Sequence, residues 1–263
     1  MNILDKIVAY KREEVENAKK KKPVAELEQL PLFDEPSFSL KRFLLDEKKT
    51  GIIAEFKRSS PSKGVINDTC KVSQVTRTYA SNGASGLSIL TDGPSFGGSI
   101  DDMITARFND VPILRKEFII DEYQIIEAKA YGADVILLIA AILTPQQVHD
   151  FTLKAHELGL EVILEIHEES ELGHIQERTD IVGVNNRNLK TFTVDLEQSV
   201  RLCHHIPEGK IKIAESGIHS VKDVLYLKNN GFDGFLIGEN FMKEKDPGLA
   251  FMKFASDLKD AQL

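Results

Sequence analysis

Lysine and glutamate recur near the C-terminal ends of short apolar runs in this sequence, a pairing suited to moving protons. Glu55 and Lys57 stand two apart in Ile53-Ala54-Glu55-Phe56-Lys57, and Lys116 follows Pro112-Ile113-Leu114-Arg115. Glu165 lies in Ile163-Leu164-Glu165-Ile166-His167, and Glu215 ends Ile211-Lys212-Ile213-Ala214-Glu215. An ammonium can give a proton and a carboxylate can take one, and burial and mutual fields tune both toward neutral pH. Residues two apart on a strand share a face, so Glu55 and Lys57 point the same way. Enclosed charges are costly unless paired or used. A structural layer of ion pairs would use the same residue types, but arrival from separate runs at matching depth favours acid–base work.

The elements that must position these groups repeat. Apolar runs fall at 52–57, 87–92, 111–118, 135–142, 161–167, 181–187, 210–217 and 234–240, most of them rich in Ile, Val and Leu without strict polar alternation. That pattern fits parallel strands covered on both faces. Segments of helical spacing lie between them, over 122–131, 144–158 and 219–229, and Thr144-Pro145 reads as a cap followed by proline at the first helical position. Gly132, Gly159 and Gly231 each follow a helix and precede a strand, where a left-handed cap is expected. Eight strand–helix units predict an α/β fold, a single (β/α)8 TIM barrel spanning 1–263 as one domain. No GxGxxG follows the first strand, which argues against a dinucleotide-binding open sheet. Residues 1–47 form an N-terminal helical extension, with helices over 5–20 and 37–45, and 48–263 form the barrel. The extension reads equally as a solvated packing arm or as a cap over one mouth.

In such a barrel the C-terminal strand ends carry the chemistry. Lys57, Lys116, Glu165 and Glu215 then converge on one mouth, with Asn185 and Arg187 from the sixth strand. Ser216-Gly217 after strand seven and Gly238-Glu239 at the end of strand eight occupy the usual phosphate position, where backbone N–H groups face the ligand. The loop 58–67, with serines, a proline and Gly64, reads as a mobile lid.

The net charge of −8 argues against a general nucleic-acid binder. No long apolar run or signal-like segment occurs, so no membrane association is expected and a cytoplasmic location is. Cys70 and Cys203 lack metal-like spacing and read as ordinary packed thiols of a reducing compartment. His167 and His174 lack ligand partners nearby in sequence, so no metal is expected. His204, His205 and the lysines at 19–22 read as solvent-facing.

The chain resembles the indole-3-glycerol phosphate synthase family over almost its whole length. The resemblance rests on Ile53-Ala54-Glu55-Phe56-Lys57-Arg58-Ser59-Ser60-Pro61-Ser62, Leu87-Ser88-Ile89-Leu90-Thr91-Asp92 and Pro112-Ile113-Leu114-Arg115-Lys116-Glu117-Phe118-Ile119. Val184-Asn185-Asn186-Arg187-Asn188-Leu189 and Ala214-Glu215-Ser216-Gly217-Ile218 add to it. It implies ring closure on a phosphorylated anilino-deoxyribulose with loss of carbon dioxide and water, and no cofactor. Lys116 then resembles the acid that protonates the substrate carbonyl. Glu165 resembles an acid or base of the dehydration, with Lys57 the other candidate and also a contact for the substrate carboxylate. Glu55 and Glu215 would fix the lysines and meet positive charge. Asn185 would position substrate and Arg187 would shape the network. Ser60, Ser216, Gly217, Gly238 and Glu239 would lie near the phosphate or the site wall, the last two through backbone N–H groups. Phe118 and Leu189 would pack on the aromatic ring. Glu117 stands where the family commonly has Asp. The expected partner is a small phosphorylated substrate, and the expected assembly a monomer or a weak dimer.

Two rivals stand beside this reading. An isomerase of phosphoribosyl anthranilate would want a cysteine and an aspartate at strand ends, whereas Cys70 follows a loop. A non-catalytic phosphate-metabolite binder would not need Lys57, Lys116, Glu165 and Glu215 together.

Overall fold

The computed structural model describes residues 3–187 and 193–261. Eight parallel strands close into the expected barrel: β1 (Ile52–Phe56), β2 (Gly86–Leu90), β3 (Ile113–Lys116), β4 (Val135–Ile139), β5 (Glu161–Ile166), β6 (Ile181–Asn185), β7 (Ile211–Glu215) and β8 (Gly234–Ile237). Each pairs with its sequence neighbours, and β8 closes on β1 with Leu236 opposite Ile53. Most strands stop short of the apolar runs that announce them. The run 135–142 continues as a 3₁₀ turn from Ala140, and Glu239 opens the helix Glu239–Met242 instead of ending β8.

The runs lack polar alternation because both faces are buried. Ile52, Ala54, Phe56, Val162, Leu164, Val182 and Val184 pack outward against the helices. Ile53, Leu114, Leu137, Ile163, Ile181, Ile213 and Leu236 fill the barrel interior. The predicted helices form as Glu122–Ala130, Pro145–Glu157 and Val221–Asn229. Each begins with a reciprocal capping box, from Asp121 with Gln124, Thr144 with Gln147 and Ser220 with Asp223, which satisfies otherwise orphaned N–H groups. Gly132, Gly159 and Gly231 take the left-handed conformation after them.

The N-terminal extension works at both ends of the barrel. The helix Leu40–Leu44, capped by Ser39, seals the N-terminal end, with Leu40 and Leu44 packed into the interior core. Gly86 and Gly234, at the starts of β2 and β8, leave room for it: a Cβ there would come within 2.9 Å of Leu40 and 2.7 Å of Leu44. The long helix Ile3–Lys21 crosses the opposite end, where Ile3, Leu4 and Ile7 line the mouth. Among the described residues no helix is long and apolar enough to cross a membrane.

Candidate active site

Side-chain parity builds the site. On β1, β3, β5 and β7 the interior position before the last carries Ile53, Leu114, Ile163 and Ile213. Two residues further on, the same face carries Glu55, Lys116, Glu165 and Glu215. An apolar plug thus gives way to a charged layer at the C-terminal mouth. Every predicted site residue except Leu189, which lies outside the described residues, lines the one cavity there.

The charges fall into two groups. Lys116 Nζ donates to Glu165 Oε2 at 2.9 Å and to Glu215 Oε2 at 2.6 Å. Lys57, just past the end of β1, pairs with Glu55 Oε1 at 2.7 Å, while Ser88 Oγ donates to Glu55 Oε2 at 3.1 Å. Burial alone would depress the Lys116 ammonium, but Glu165, Glu215 and Glu55 reverse this and hold it above the ordinary lysine value. Burial raises the Glu215 carboxyl to about 7, with Lys116 pulling down and Glu165 pushing up. Glu165 also feels burial, yet Lys116 and His167 hold it well below the usual carboxylate range. Two carboxylates of opposite tendency thus flank one buried cation, the arrangement from which acid and base roles separate.

Beside the charges lies a turn-rich seat. Ser216 has φ of 69° and Gly217 φ of 68°. A non-glycine residue there stores about 1–2 kcal/mol of strain. A Cβ on Gly217 would overlap Val194, so glycine is required for space as well as conformation. Gly238 makes room of another kind, since a Cβ there would collide with the Glu55 carboxylate. Glu239 begins a four-residue helix, whose first N–H groups lack intrahelical acceptors. Its side chain faces Arg187 Nη2 at 3.4 Å and Lys63 Nζ at 3.8 Å. Asn185 Oδ1 accepts the Arg187 backbone N–H at 3.0 Å, and Ser60, half of a two-residue strand paired with Gly64–Val65, is buried at the rim. Phe118 stands beside Phe96 with ring centroids 6.0 Å apart, giving the mouth an aromatic wall.

Sequence reasoning missed several participants. His167 Nε2 lies 3.2 Å from Glu165 Oε1, and Ser88 holds Glu55. Asn186 Nδ2 donates to Ser216 O at 2.6 Å and its backbone N–H to Glu215 O at 2.8 Å, bracing the strained turn. Parity could have found His167, which is two residues beyond Glu165. The lysine stretch at 19–22 is only partly solvent-facing: Lys19 pairs with Asp121 at 2.7 Å and Lys22 reaches the Tyr131 hydroxyl at 3.3 Å. His204 and His205 are exposed, as expected. Among the described residues no three His, Cys, Asp or Glu side chains are grouped so as to hold a metal ion.

Residues 4–254 match the family model described as indole-3-glycerol phosphate synthase. An indole-3-glycerol phosphate synthase of Bacteroides thetaiotaomicron is 48% identical over 96% of this chain and 97% of its own length. One from Salinibacter ruber is 40% identical over 98% and 97%. Among solved structures, the tryptophan synthase alpha subunit of Legionella pneumophila superposes with a TM-score of 0.61 at 14% identity, covering 84% of this chain and 97% of that one. The 3-hexulose-6-phosphate synthase of Salmonella typhimurium gives 0.62 at 12%, covering 80% and 98%. At such identities these two speak for the barrel fold alone.

Proposed function

Because this chain belongs to the indole-3-glycerol phosphate synthase family, we infer that it converts 1-(2-carboxyphenylamino)-1-deoxy-D-ribulose 5-phosphate to indole-3-glycerol phosphate, with loss of carbon dioxide and water, in tryptophan biosynthesis. The observation that carries the residue-level reading is the buried Lys116 ammonium held between Glu165 and Glu215 beneath an apolar mouth.

In this reading Lys116 protonates the substrate carbonyl as the aryl carbon attacks it. The resulting iminium-like cation is stabilised by Glu215 and Glu55, at about 3 kcal/mol per preorganised group. Loss of carbon dioxide restores the aromatic ring. A base then removes a proton from carbon while an acid expels hydroxide; Glu165 and Lys57 are the two groups in reach. Lys57 also meets the substrate carboxylate. Asn185 orients the sugar, Arg187 holds the network, and the phosphate rests against Ser60, Ser216, Gly217 and the N–H groups of Gly238 and Glu239. Phe118 packs on the ring.

Indole absorbance or fluorescence with that substrate and no added metal tests the reading. Lys116→Ala is expected to lower turnover at least about 10³-fold while leaving phosphate-ligand affinity within a few-fold. Absence of any indole product from the wild-type chain overturns the reading, and so does undiminished turnover in the variant.

A further inference from the structure

The synthase reading carries a proton requirement. The substrate carboxylate leaves as carbon dioxide, its bonding electrons returning to the ring. The carbonyl oxygen takes one proton from Lys116 and a second as it departs as water, while one proton is lost from carbon. Each turnover therefore consumes one proton, and the buried lysine must be recharged before the next.

The side chains of Lys116, Glu165 and Glu215 are only 15%, 6% and 2% exposed, and in the synthase reading a seated substrate would stand between them and the mouth. A chain of ionisable groups leads away from the cavity to Glu171, whose side chain is 11% exposed. Glu165 Oε1 is 3.2 Å from His167 Nε2, and His167 Nδ1 is 3.6 Å from Glu171 Oε2, on the 3₁₀ turn Glu169–His174. His167 does not line the cavity. Its side chain is nine-tenths buried, yet neither ring nitrogen makes an aligned hydrogen bond. The ring lies between two carboxylates, Nε2 towards Glu165 and Nδ1 towards Glu171. Glu171 is fixed in place by accepting the His167 backbone N–H at 2.6 Å.

We propose that His167, with Glu171, relays protons from solvent to Glu165 and through it to Lys116. The charged groups around the ring are Glu165 from its own strand and Glu171 from the turn, with Lys116 and Glu215 beyond Glu165. Burial alone would depress the imidazole, but the two carboxylates push it up to about 9. Lys116 is held above the ordinary lysine value, so the proton comes to rest on the lysine, while Glu165, held low by Lys116 and His167, passes it on without keeping it.

This proposal rests on the synthase reading, and its experiment separates the two. Single-turnover and steady-state rates are compared for wild type and His167→Gln in weak buffer, then with added imidazole. Lys116 begins charged, so the first turnover is expected to lose several-fold less than kcat, which falls at least about tenfold with little change in KM. Imidazole restores at least about half of the lost rate by carrying the proton itself. Glu171→Gln, which keeps the imidazole, shows a milder form of the same split. Equal losses in both regimes without imidazole rescue would reduce His167 to a prop for Glu165 and overturn the relay. An unchanged kcat in weak buffer overturns it as well. A wild-type chain that forms no indole product sinks the synthase reading instead.

Discussion

Gly183 on β6 holds open the space that the Glu215 carboxylate on β7 fills. A Cβ at Gly183 would overlap Glu215 Oε1 and approach Ile163 Cγ2 to 3.1 Å. Gly183 is not among the residues with positive φ, so the glycine is there for room. The fold can absorb a methyl group by swinging the Glu215 side chain aside, but that breaks its 2.6 Å contact with Lys116. Gly183→Ala is therefore expected to lower kcat/KM by about 10²-fold, since misplacing a reacting group by an ångström costs on that order. The melting temperature should stay near that of wild type. Shortening the carboxylate in Gly183→Ala/Glu215→Asp should recover part of the loss relative to the product of the single effects. A strictly multiplicative double mutant would show that the two positions do not communicate.

Glu215 also sets an expectation for pH. Its carboxyl is pushed up from 4.5 to about 7 by burial, with Lys116 opposing and Glu165 assisting. The fold thus favours the neutral form: that contribution to stability is present below pH 4.5 and is lost as pH rises through about 7. Catalysis needs the charged form, which faces the cation. The kcat/KM profile is accordingly expected to rise through an acid limb near pH 7. In Glu215→Gln that limb should disappear and the plateau drop by about 10²–10³-fold. Persistence of the same limb in the variant would assign it to another group.

The lid offers a third expectation. Arg58 is pinned at one end by Asp102 and by Gly97 O, and Asn67 at the other by Met242 O and Glu244 O, at 3.1 and 3.2 Å. Between these pins a short hairpin places Ser60, Pro61 and Ser62 on the cavity. The segment between the pins is the part that touches the site. Shortening the loop at 62–64 is expected to change kcat by about fivefold or more while leaving a single enzyme-bound turnover little affected. Unchanged turnover would show that lid movement does not limit the cycle.

What can be read from sequence follows the range of each physical signal. Apolar periodicity and local caps such as Thr144 with Gln147 act over a few residues, so the barrel and its helices are legible. Parity places Glu55, Lys57, Lys116, Glu165 and Glu215 on one mouth. The same rule applied to His167 finds the neighbour of Glu165, but a histidine weighed only as a metal ligand escapes it. Strand ends run long because apolar side chains continue into buried turns such as Ala140. Contacts between distant segments leave no trace in local pattern. Nothing around Lys11 predicts that it meets Asp92 and Glu117, and nothing in Leu40 or Leu44 says that Gly86 and Gly234 make room for them.

Lys11 gives the last expectation. Its ammonium lies 2.9 Å from Asp92 and 3.0 Å from Glu117, and the residue is 3% exposed. Tyr10 adds a hydroxyl bond to Asp92 at 2.7 Å, so the N-terminal helix is tied to the ends of β2 and β3. Glu117 also accepts the Phe118 backbone N–H at 2.8 Å, which links this anchor to the aromatic wall of the cavity. Burial opposes the charged lysine, but Glu117 and Asp92 raise it above its ordinary value, so the interaction is intact throughout the neutral range. Lys11→Met keeps much of the apolar stem and removes the charge, leaving two buried carboxylates facing each other. Breaking a buried pair from one side costs about 3–5 kcal/mol, and urea unfolding of the variant should show a loss of that size. Adding Asp92→Asn and Glu117→Gln to Lys11→Met should return much of it, because the penalty lies in the uncompensated charges more than in the lost attraction. A loss under about 1 kcal/mol in Lys11→Met alone would mean that solvent reaches the cluster and screens it.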